Sequence, residues 1–451
     1  MTEILALLQN IEPLFEKTTF KQMSRIVYAM LASSGRITML GLSRWSEKGG
    51  SYRTIQRFYL TYLPWAALQW KYFQSSFLEP GDEYIAAGDE SIVSKAGKQT
   101  FGLDRFFAGL QQRVIPGLSF FVFSLVNVRE EHSYPLQIMQ TVKSVEEKAA
   151  SKAKVEAKKN KKVQEKKKPG RPKGSKNKDK KEVELNPELL RIQKSLQTFL
   201  DTIKGKIKLV YLAMDGHFGN YPSAFMVRKA GLHLISKLRS DAALYETCFF
   251  EEHKKRGPKP KHGAKLDLSR IDPKYLKETS IEDHIRTDRY QGQFFNKEFA
   301  FPLNVVIIVK TNLDTGSMAH VILFSTDLVL AYDKMTKFYS LRFQLEFNFR
   351  DAKQYWGLED FMNIKETAVT NAANLSFFMV NFSFALLKPF RKQDQEYSIL
   401  DLKSHYRGLR YATETIKMLP EKPDGILLAE IFQKIARLGA IHPAFLPVSC
   451  Q

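Results

Sequence analysis

The sequence predicts a mixed α/β protein flanked by helical regions. Three observations indicate this fold class. Apolar residues recur at three- and four-residue spacing from residue 1 to about 80 and again from about 327 onward, which is the period of a helix. Short runs of aromatic and β-branched residues lie between these regions and are bounded by turn residues, as strands are. Two of these runs end in aspartate, at Asp89 and Asp215.

The chain is strongly basic. Its 451 residues include 69 Lys and Arg against 48 Asp and Glu, a net charge of +21. This balance indicates a polyanionic partner, either nucleic acid or an anionic membrane surface. About half of the excess lies between Lys143 and Glu182, where 17 Lys and Arg face 6 Asp and Glu. That segment has no aromatic residue, Leu, Ile or Met, so it cannot form a core, and we interpret it as a basic linker that is disordered or a frayed helix.

Several protein classes are disfavoured. Cys248 and Cys450 are too few and too far apart for a disulfide framework or a thiolate metal site. The N-terminus has no basic region before its apolar run, unlike a secretion signal. The apolar stretches Val114–Val128 and Leu375–Leu387 fall short of the roughly 18 residues of a membrane span. We therefore expect no membrane partner and a cytoplasmic, nucleoid-associated protein.

The N-terminal region contains a candidate DNA-reading element. The stretch GRITMLGLSRWSEKGGSYRTIQRFY predicts two short helices around a glycine-containing turn, with Arg53 and Arg57 on the second helix. A helix-turn-helix has this arrangement, and a plain helical bundle carries such arginines too. Both interpretations stay open, with Arg53 and Arg57 as candidate DNA-binding residues.

The strand-end aspartates are candidate site residues. EYIAAGDE is a short apolar strand that ends at Asp89, and KLVYLAMD is another that ends at Asp215. The carboxyl ends of parallel strands meet at one edge of a sheet, so the two carboxylates are expected side by side. The alternative is that each aspartate only caps a turn or a helix.

A third candidate acid lies in YSLRFQLEFNFRDAK, which has helix-forming composition and no helix breaker. On one continuous helix Tyr339, Arg342, Glu346, Arg350 and Lys353 fall within an arc of roughly 80°. A single acid among a phenol and three cations also describes an ordinary solvated salt-bridge face.

The spacing Tyr339-(2)-Arg342-(3)-Glu346-(6)-Lys353 resembles the signature of bacterial insertion-sequence DDE transposases, in particular the insertion-sequence-four group. The two aspartates stand upstream in the order that this family requires, and the similarity spans roughly residues 81 to 360. The resemblance implies an RNase H-like core in which Asp89, Asp215 and Glu346 are catalytic. It also implies that Tyr339, Arg342 and Lys353 hold phosphates of the transposon end, and we add Arg350 as a DNA-binding candidate on the same helix face.

The resemblance also implies a cofactor and partners. Three carboxylates without a Cys or His cluster suit two Mg²⁺ or Mn²⁺ ions, which activate a water or a 3′-hydroxyl and stabilise the leaving oxygen. The expected activity is cleavage at the terminal inverted repeats of an insertion sequence and strand transfer into target DNA. The expected partners are double-stranded DNA and a second copy of the chain in a synaptic dimer. Two alternatives are an RNase H-fold nuclease or resolvase that cuts without joining, and a domesticated DNA-binding protein without catalysis.

Two basic segments complete the candidates. KKPGRPKGSK contains Gly170-Arg171-Pro172 and resembles an AT-hook, whose arginine enters a narrow minor groove, although lysine-rich linkers contain this triplet by chance. Arg256 and Lys259 lie in a second basic loop that suits contacts to DNA phosphates.

The predicted domain organisation follows these features. A helical DNA-binding domain covers 1–80, the RNase H-like core is divided between 81–142 and 186–239, and the basic linker is 143–185. A β-rich insertion domain covers 240–325, the core helix with the third acid 326–364, and a helical C-terminal region 365–451.

Overall fold

The computed structural model describes residues 2–442 except 47–48, 110, 151–152, 154–155, 157–182, 248–261 and 422. Three of the predicted DNA-binding residues, Arg171, Arg256 and Lys259, therefore lie outside the described residues. The AT-hook-like segment lies outside them as well.

A mixed sheet of eleven strands runs through the described part of the protein. The strands are β1 (Tyr84–Ser94), β2 (Asp104–Ala108), β3 (Arg113–Asn127), β4 (His132–Gln140), β5 (Tyr211–Met214), β6 (His233–Leu238), β7 (Leu244–Tyr245), β8 (Leu276–Glu282), β9 (Ile285–Asn296), β10 (Leu303–Asn312) and β11 (Met318–Ser325). β4 pairs with β3, which pairs antiparallel with β1. β1 then pairs parallel with β5, and β5 pairs parallel with β6.

The β-rich segment predicted at 240–325 contains strands and continues the same sheet. β11 pairs antiparallel with β6, and β10 and β9 follow in order. The predicted boundary at residue 240 thus separates strands that are joined by hydrogen bonds within one sheet.

Helices cover the sheet and fill both ends of the chain, as the apolar periodicity predicts. In the N-terminal part they are α1 (Thr2–Gln9), α2 (Lys17–Ala32), α3 (Met39–Trp45), α4 (Tyr52–Leu60) and α5 (Trp65–Ser76). Those after the first strands are α6 (Pro187–Ile203), α7 (Tyr221–Lys229), α8 (Tyr332–Leu341), α9 (Gln344–Gln354), α10 (Glu366–Arg391), α11 (Ile399–Met418) and α12 (Gly425–Ala436).

Buried asparagines of α10 tie the two helical regions to the sheet. Asn371 accepts a hydrogen bond from the indole of Trp65 at 2.7 Å and donates to the carbonyl of Tyr59 at 2.8 Å. Asn381, further along α10, donates to the carbonyl of Pro135 in β4 at 2.9 Å. A buried amide is costly unless its hydrogen bonds are made, so these contacts fix how the N-terminal helices and β4 meet α10.

By length and composition, α10 is also a candidate membrane span. In the protein, however, 89% of its most apolar window is buried, as in a helix that packs inside a protein core.

The prediction of one continuous helix from Tyr339 to Lys353 is wrong at two residues. α8 ends at Leu341 and α9 begins at Gln344. Arg342 and Phe343 keep right-handed backbone angles, but the hydrogen bonds tighten to three-residue spacing, with the amides of Phe343, Leu345 and Glu346 each bonded three residues back at 3.0 Å. A tighter turn rotates successive side chains further than an α-helix does. The side chains before and after this turn therefore do not share the single predicted helix face.

Acid should destabilise the fold through His132 of β4. Its ring stacks on Phe384 with centroids 3.6 Å apart. Burial, with smaller effects from Arg391 and Lys388, lowers the pKa of His132 to about 3 from 6.5. The neutral ring therefore contributes stability that is present above pH 6.5 and is lost as the pH falls towards 3.

We expect this ring alone to lower the free energy of unfolding by about 2 kcal/mol between pH 7 and pH 5. His132→Phe keeps the aromatic stack and cannot be protonated. The change in its unfolding free energy between pH 7 and pH 5 should therefore be smaller than that of the parent by this amount. Urea unfolding at the two pH values measures the difference. The same pH dependence in both proteins would contradict this account.

Candidate functional site

Asp89 and Asp215 lie next to each other on neighbouring parallel strands. The register of β1 and β5 pairs Ala87 with Ala213 and Gly88 with Met214. The next position on each chain is one of the two aspartates. The structure thus places the two aspartates side by side, as predicted. The prediction that the strand ends at Asp89 is wrong, because β1 continues to Ser94 and pairs with β3 along this length. The catalytic role of both aspartates stays a prediction.

Asp89 is held from two sides in a partly buried position. One carboxylate oxygen accepts the amide of Glu90 at 2.8 Å, and the other accepts Nη1 of Arg342 at 2.7 Å. Burial raises the pKa of Asp89 to about 6, Arg342 opposes this rise, and the nearby Asp215 and Glu346 add to it. Negative charge is therefore concentrated where water screens it poorly, which favours a cation.

Asp215 also caps a turn, which is the alternative role that the sequence allows for this aspartate. Its side chain accepts the amide of His217 at 3.1 Å, and its backbone carbonyl accepts the hydroxyl of Ser236 at 2.7 Å. These bonds hold the aspartate between the end of β5 and β6. Capping and a role in the site are therefore compatible, because the cap orients the carboxylate.

Arg342 lies between Asp89 and the third predicted acid. Besides its contact with Asp89, its Nη2 is 3.4 Å from Oε1 of Glu346. The Arg342 side chain is only 12% exposed, and its guanidinium lies 5.8 Å from the centre of the Tyr339 ring. Tyr339, Arg342 and Glu346 thus gather at Asp89, although Asp89 lies more than 240 residues earlier in the chain.

The two remaining cations of the predicted helix face have other partners. Nζ of Lys353 donates to the carbonyl of Ile92 at 2.9 Å, and burial lowers the pKa of this lysine. Arg350 does not join the group. It donates to Asp351 at 2.9 Å and its guanidinium lies 4.9 Å from the centre of the Phe347 ring.

The carboxylates open onto a cleft of about 610 Å³. Its lining includes Asp89, Asp215 and Lys353, and also Phe106 and Phe107 of the β2–β3 hairpin. The Phe107 side chain is 57% exposed. The cleft is thus accessible to a large substrate and combines carboxylates, a lysine and an aromatic rim.

Glu90 and His217 also line this cleft. Glu90 accepts hydrogen bonds from the hydroxyls of Ser119 and Thr141, so its partners differ from those of Asp89. Nε2 of His217 is 3.7 Å from Glu188, whose carboxylate raises the pKa of the histidine. No sequence signal marks Glu188, because an acid in the first turn of a helix is common for helix stability alone.

The N-terminal helix pair forms as predicted. α4 buries Ile55, Phe58 and Tyr59, while Arg53 and Arg57 stay on its exposed side. Nη1 of Arg53 is bonded to Gln56 at 3.1 Å, within the same helix. This geometry suits both the helix-turn-helix and the structural helix pair, so DNA reading by α4 stays a prediction.

Among the described residues, no three or more His, Cys, Asp or Glu side chains lie close enough together to hold a metal ion. The position of Arg342 explains this, because its guanidinium separates Asp89 from Glu346. The donor chemistry nevertheless fits a divalent cation, since carboxylate oxygens are the ligands that Mg²⁺ and Mn²⁺ prefer.

Adjacent carboxylates at an open cleft of a mixed α/β protein form a candidate active site. The sequence model of the DDE superfamily endonucleases matches residues 10–293, and the chain belongs to this family. Enzymes of this superfamily generally use divalent metal ions. The match includes Asp89 and Asp215 and ends before Glu346.

Other comparisons add little. No curated protein matches the chain. Among solved structures, the piggyBac transposase in its synaptic complex with hairpin DNA aligns with 98% of this chain and 82% of its own. The identity is 11% and the TM-score 0.40, which is too low to assign a shared fold.

The turn that carries Asp215 should tolerate no side chain at Gly219. A Cβ there would overlap the backbone oxygen of Lys237 in β6, and a backbone atom cannot move aside cheaply. We expect Gly219→Ala to lower the free energy of unfolding by about 1–3 kcal/mol. Gly35→Ala is the control, since a Cβ at Gly35 meets nothing within 4 Å. Denaturant unfolding of both variants measures the costs, and equal costs would contradict the predicted overlap.

Proposed function

We propose that the protein is a DDE transposase that cuts DNA at the terminal inverted repeats of an insertion sequence and joins the free ends to target DNA. One observation carries the proposal: Asp89 and Asp215 are neighbours in the sheet, and Arg342 links Asp89 to Glu346. Belonging to the DDE superfamily endonucleases supports DNA cleavage. The joining step rests on the resemblance to insertion-sequence transposases.

We also propose an RNase H-like core built from β4, β3, β1, β5 and β6. Its support is the placement of the acids. Asp89 lies on the first of these strands in the chain and Asp215 directly follows the fourth. Glu346 is on a helix that reaches Asp89 through Arg342. The resemblance implies the same distribution of acids over strands and helix.

Assignment to the insertion-sequence-four group is part of the proposal. It is supported by the contacts among Tyr339, Arg342 and Glu346, three of the four positions of the signature. Lys353, the fourth, lines the same cleft from the end of α9.

Asp89, Asp215 and Glu346 would hold two divalent ions, Mg²⁺ or Mn²⁺. When bound, such ions activate a water or a 3′-hydroxyl and stabilise the leaving oxygen of the phosphodiester. The chain's own cations then have a separate task. The guanidinium of Arg342 and the ammonium of Lys353 are suited to orient a DNA phosphate at the cleft, with the phenol of Tyr339 beside them.

The remaining parts serve DNA binding in this proposal. Arg53 and Arg57, with the basic segments that contain Arg171 and Arg256, supply affinity that falls with added salt. Two transposon ends require two active sites, so the working form is a homodimer on double-stranded DNA. The site of action is the cytoplasm, at the nucleoid.

Removal of any one predicted acid should abolish the chemistry. We expect Asp89→Asn, Asp215→Asn and Glu346→Gln each to leave less than about one hundredth of the parental rate, because even ligand-orienting residues are worth 10–100-fold. The assay is cleavage and strand transfer with Mg²⁺ on DNA that carries the inverted repeats flanking the coding region. Asp241→Asn is the control, since the Asp241 side chain is 70% exposed on a surface loop.

The same assay separates the alternatives. Parental activity in Glu346→Gln would refute its catalytic assignment. Cleavage without a joined product would favour a nuclease or resolvase. DNA binding without cleavage in the parent protein would favour a domesticated binding protein.

The basic linker should contribute affinity without contributing chemistry. Replacing residues 143–182 by a Gly/Ser segment of equal length should weaken DNA binding. It should also reduce the slope of log affinity against log salt by about 0.9 for each DNA phosphate that the linker neutralises in the parent protein. Fluorescence anisotropy across a salt series measures the slope, and metal-dependent cleavage should remain. An unchanged slope would show that the linker does not contact DNA phosphates.

A further inference from the structure

Arg342 acts as the cation of the carboxylate site in the structure. Its guanidinium contacts Asp89 at 2.7 Å and Glu346 at 3.4 Å. Asp215 lies beside Asp89 and adds a third negative charge. Carboxylates this close repel each other unless a positive charge lies between them. The arginine therefore occupies a position where any cation would be stabilised.

The hydrogen bonds of Arg342 are incomplete in this position. Within the described part of the chain, its Nε is buried and has no hydrogen-bond partner. A guanidinium carries five N–H donors in a fixed plane, and Nε with one Nη forms the edge that matches two oxygens of a phosphate. A phosphate that replaced the carboxylates at this guanidinium would therefore complete hydrogen bonds that they leave unmade.

The backbone at Arg342 is compatible with such a change of partner. The residue lies in the two-residue turn between α8 and α9, and not inside either helix. Its neighbour Phe343 is 49% exposed, so no packed core covers this turn on the outer side. The side chain can exchange partners without unfolding a helix.

A divalent ion and the guanidinium cannot share Asp89 and Glu346. At contact distances two positive groups repel strongly, and the partly buried site screens them little. Metal loading therefore requires Arg342 to leave the carboxylates, and a DNA phosphate is the acceptor that its position and free donor favour.

We propose that Arg342 couples metal loading to DNA binding: it holds Asp89 and Glu346 in the free protein, and a phosphate of the bound DNA draws it away so that the divalent ion binds. This inference rests on the proposed function, because it takes the three carboxylates as the metal site. Since coupling is reciprocal, DNA raises the affinity for metal by the same factor by which metal raises the affinity for DNA. The device keeps the metal-loaded site from assembling before a phosphodiester is in place.

The test measures Mn²⁺ binding by electron paramagnetic resonance, with and without a duplex that carries one flanking inverted repeat. The parent protein should bind Mn²⁺ about tenfold or more tightly once the duplex is present. Arg342→Gln should bind Mn²⁺ tightly without DNA, and the duplex should add nothing further. Arg239→Gln is the matched control: it removes the same charge from an exposed surface position, where the arginine is paired with Asp241, and should behave as the parent.

Two further measurements test the coupling. Arg342→Lys retains the charge, so its Mn²⁺ affinity without DNA should stay low, as in the parent. Anisotropy of a labelled duplex should show the reciprocal gain in DNA affinity on adding Mn²⁺ to the parent and no gain in Arg342→Gln. Weaker or unchanged Mn²⁺ binding by Arg342→Gln, or no effect of DNA on the parent, would overturn the coupling.

Failure of the coupling and failure of the proposed function are distinguishable. In one outcome, Asp89→Asn and Asp215→Asn lose Mn²⁺ binding while DNA has no effect on Mn²⁺ binding by the parent. That result would support the metal site and refute only the coupling role of Arg342. No Mn²⁺ binding in any protein would remove the metal site itself.

Discussion

The ion pair between Arg342 and Asp89 is the contact on which the arrangement of the site depends. It joins strand β1 to the turn between α8 and α9 at 2.7 Å, with both side chains largely buried. Through the same guanidinium, Glu346 is brought towards the two aspartates. A partly buried charge needs a partner, so the position of this turn and the position of the carboxylates are fixed together.

The rest of the protein supports that contact from two directions. Parallel pairing of β1 with β5 sets the two aspartates side by side, and the tight approach of Gly219 to β6 holds the turn after Asp215. On the helical side, the buried asparagines of α10 lock the N-terminal helices and β4 against one another. The acids thus stand on elements with few alternative arrangements, as catalytic geometry requires.

Much of the fold and part of the site could be predicted because their causes are local. Helical and strand periods identified the main elements, and acids at the ends of apolar strands indicated the Asp89–Asp215 pair. The break at Arg342 could not be predicted, since its sequence has no helix breaker and the partner, Asp89, is 253 residues away. For the same reason an ideal helical arc misplaced Arg350, which pairs with its neighbour Asp351, and nothing local indicated that Glu188 lies beside His217.

The central claim is that Asp89, Asp215 and Glu346 form one divalent-metal site at which DNA phosphate and Arg342 meet. Anomalous scattering from crystals of the protein with Mn²⁺ and a cleavage-blocked duplex tests it most directly. The account predicts manganese peaks at oxygen-ligand distances of about 2.0–2.3 Å from these carboxylates, with Arg342 moved onto a DNA phosphate. Manganese bound elsewhere, with Arg342 still paired to Asp89 in the DNA complex, would contradict it.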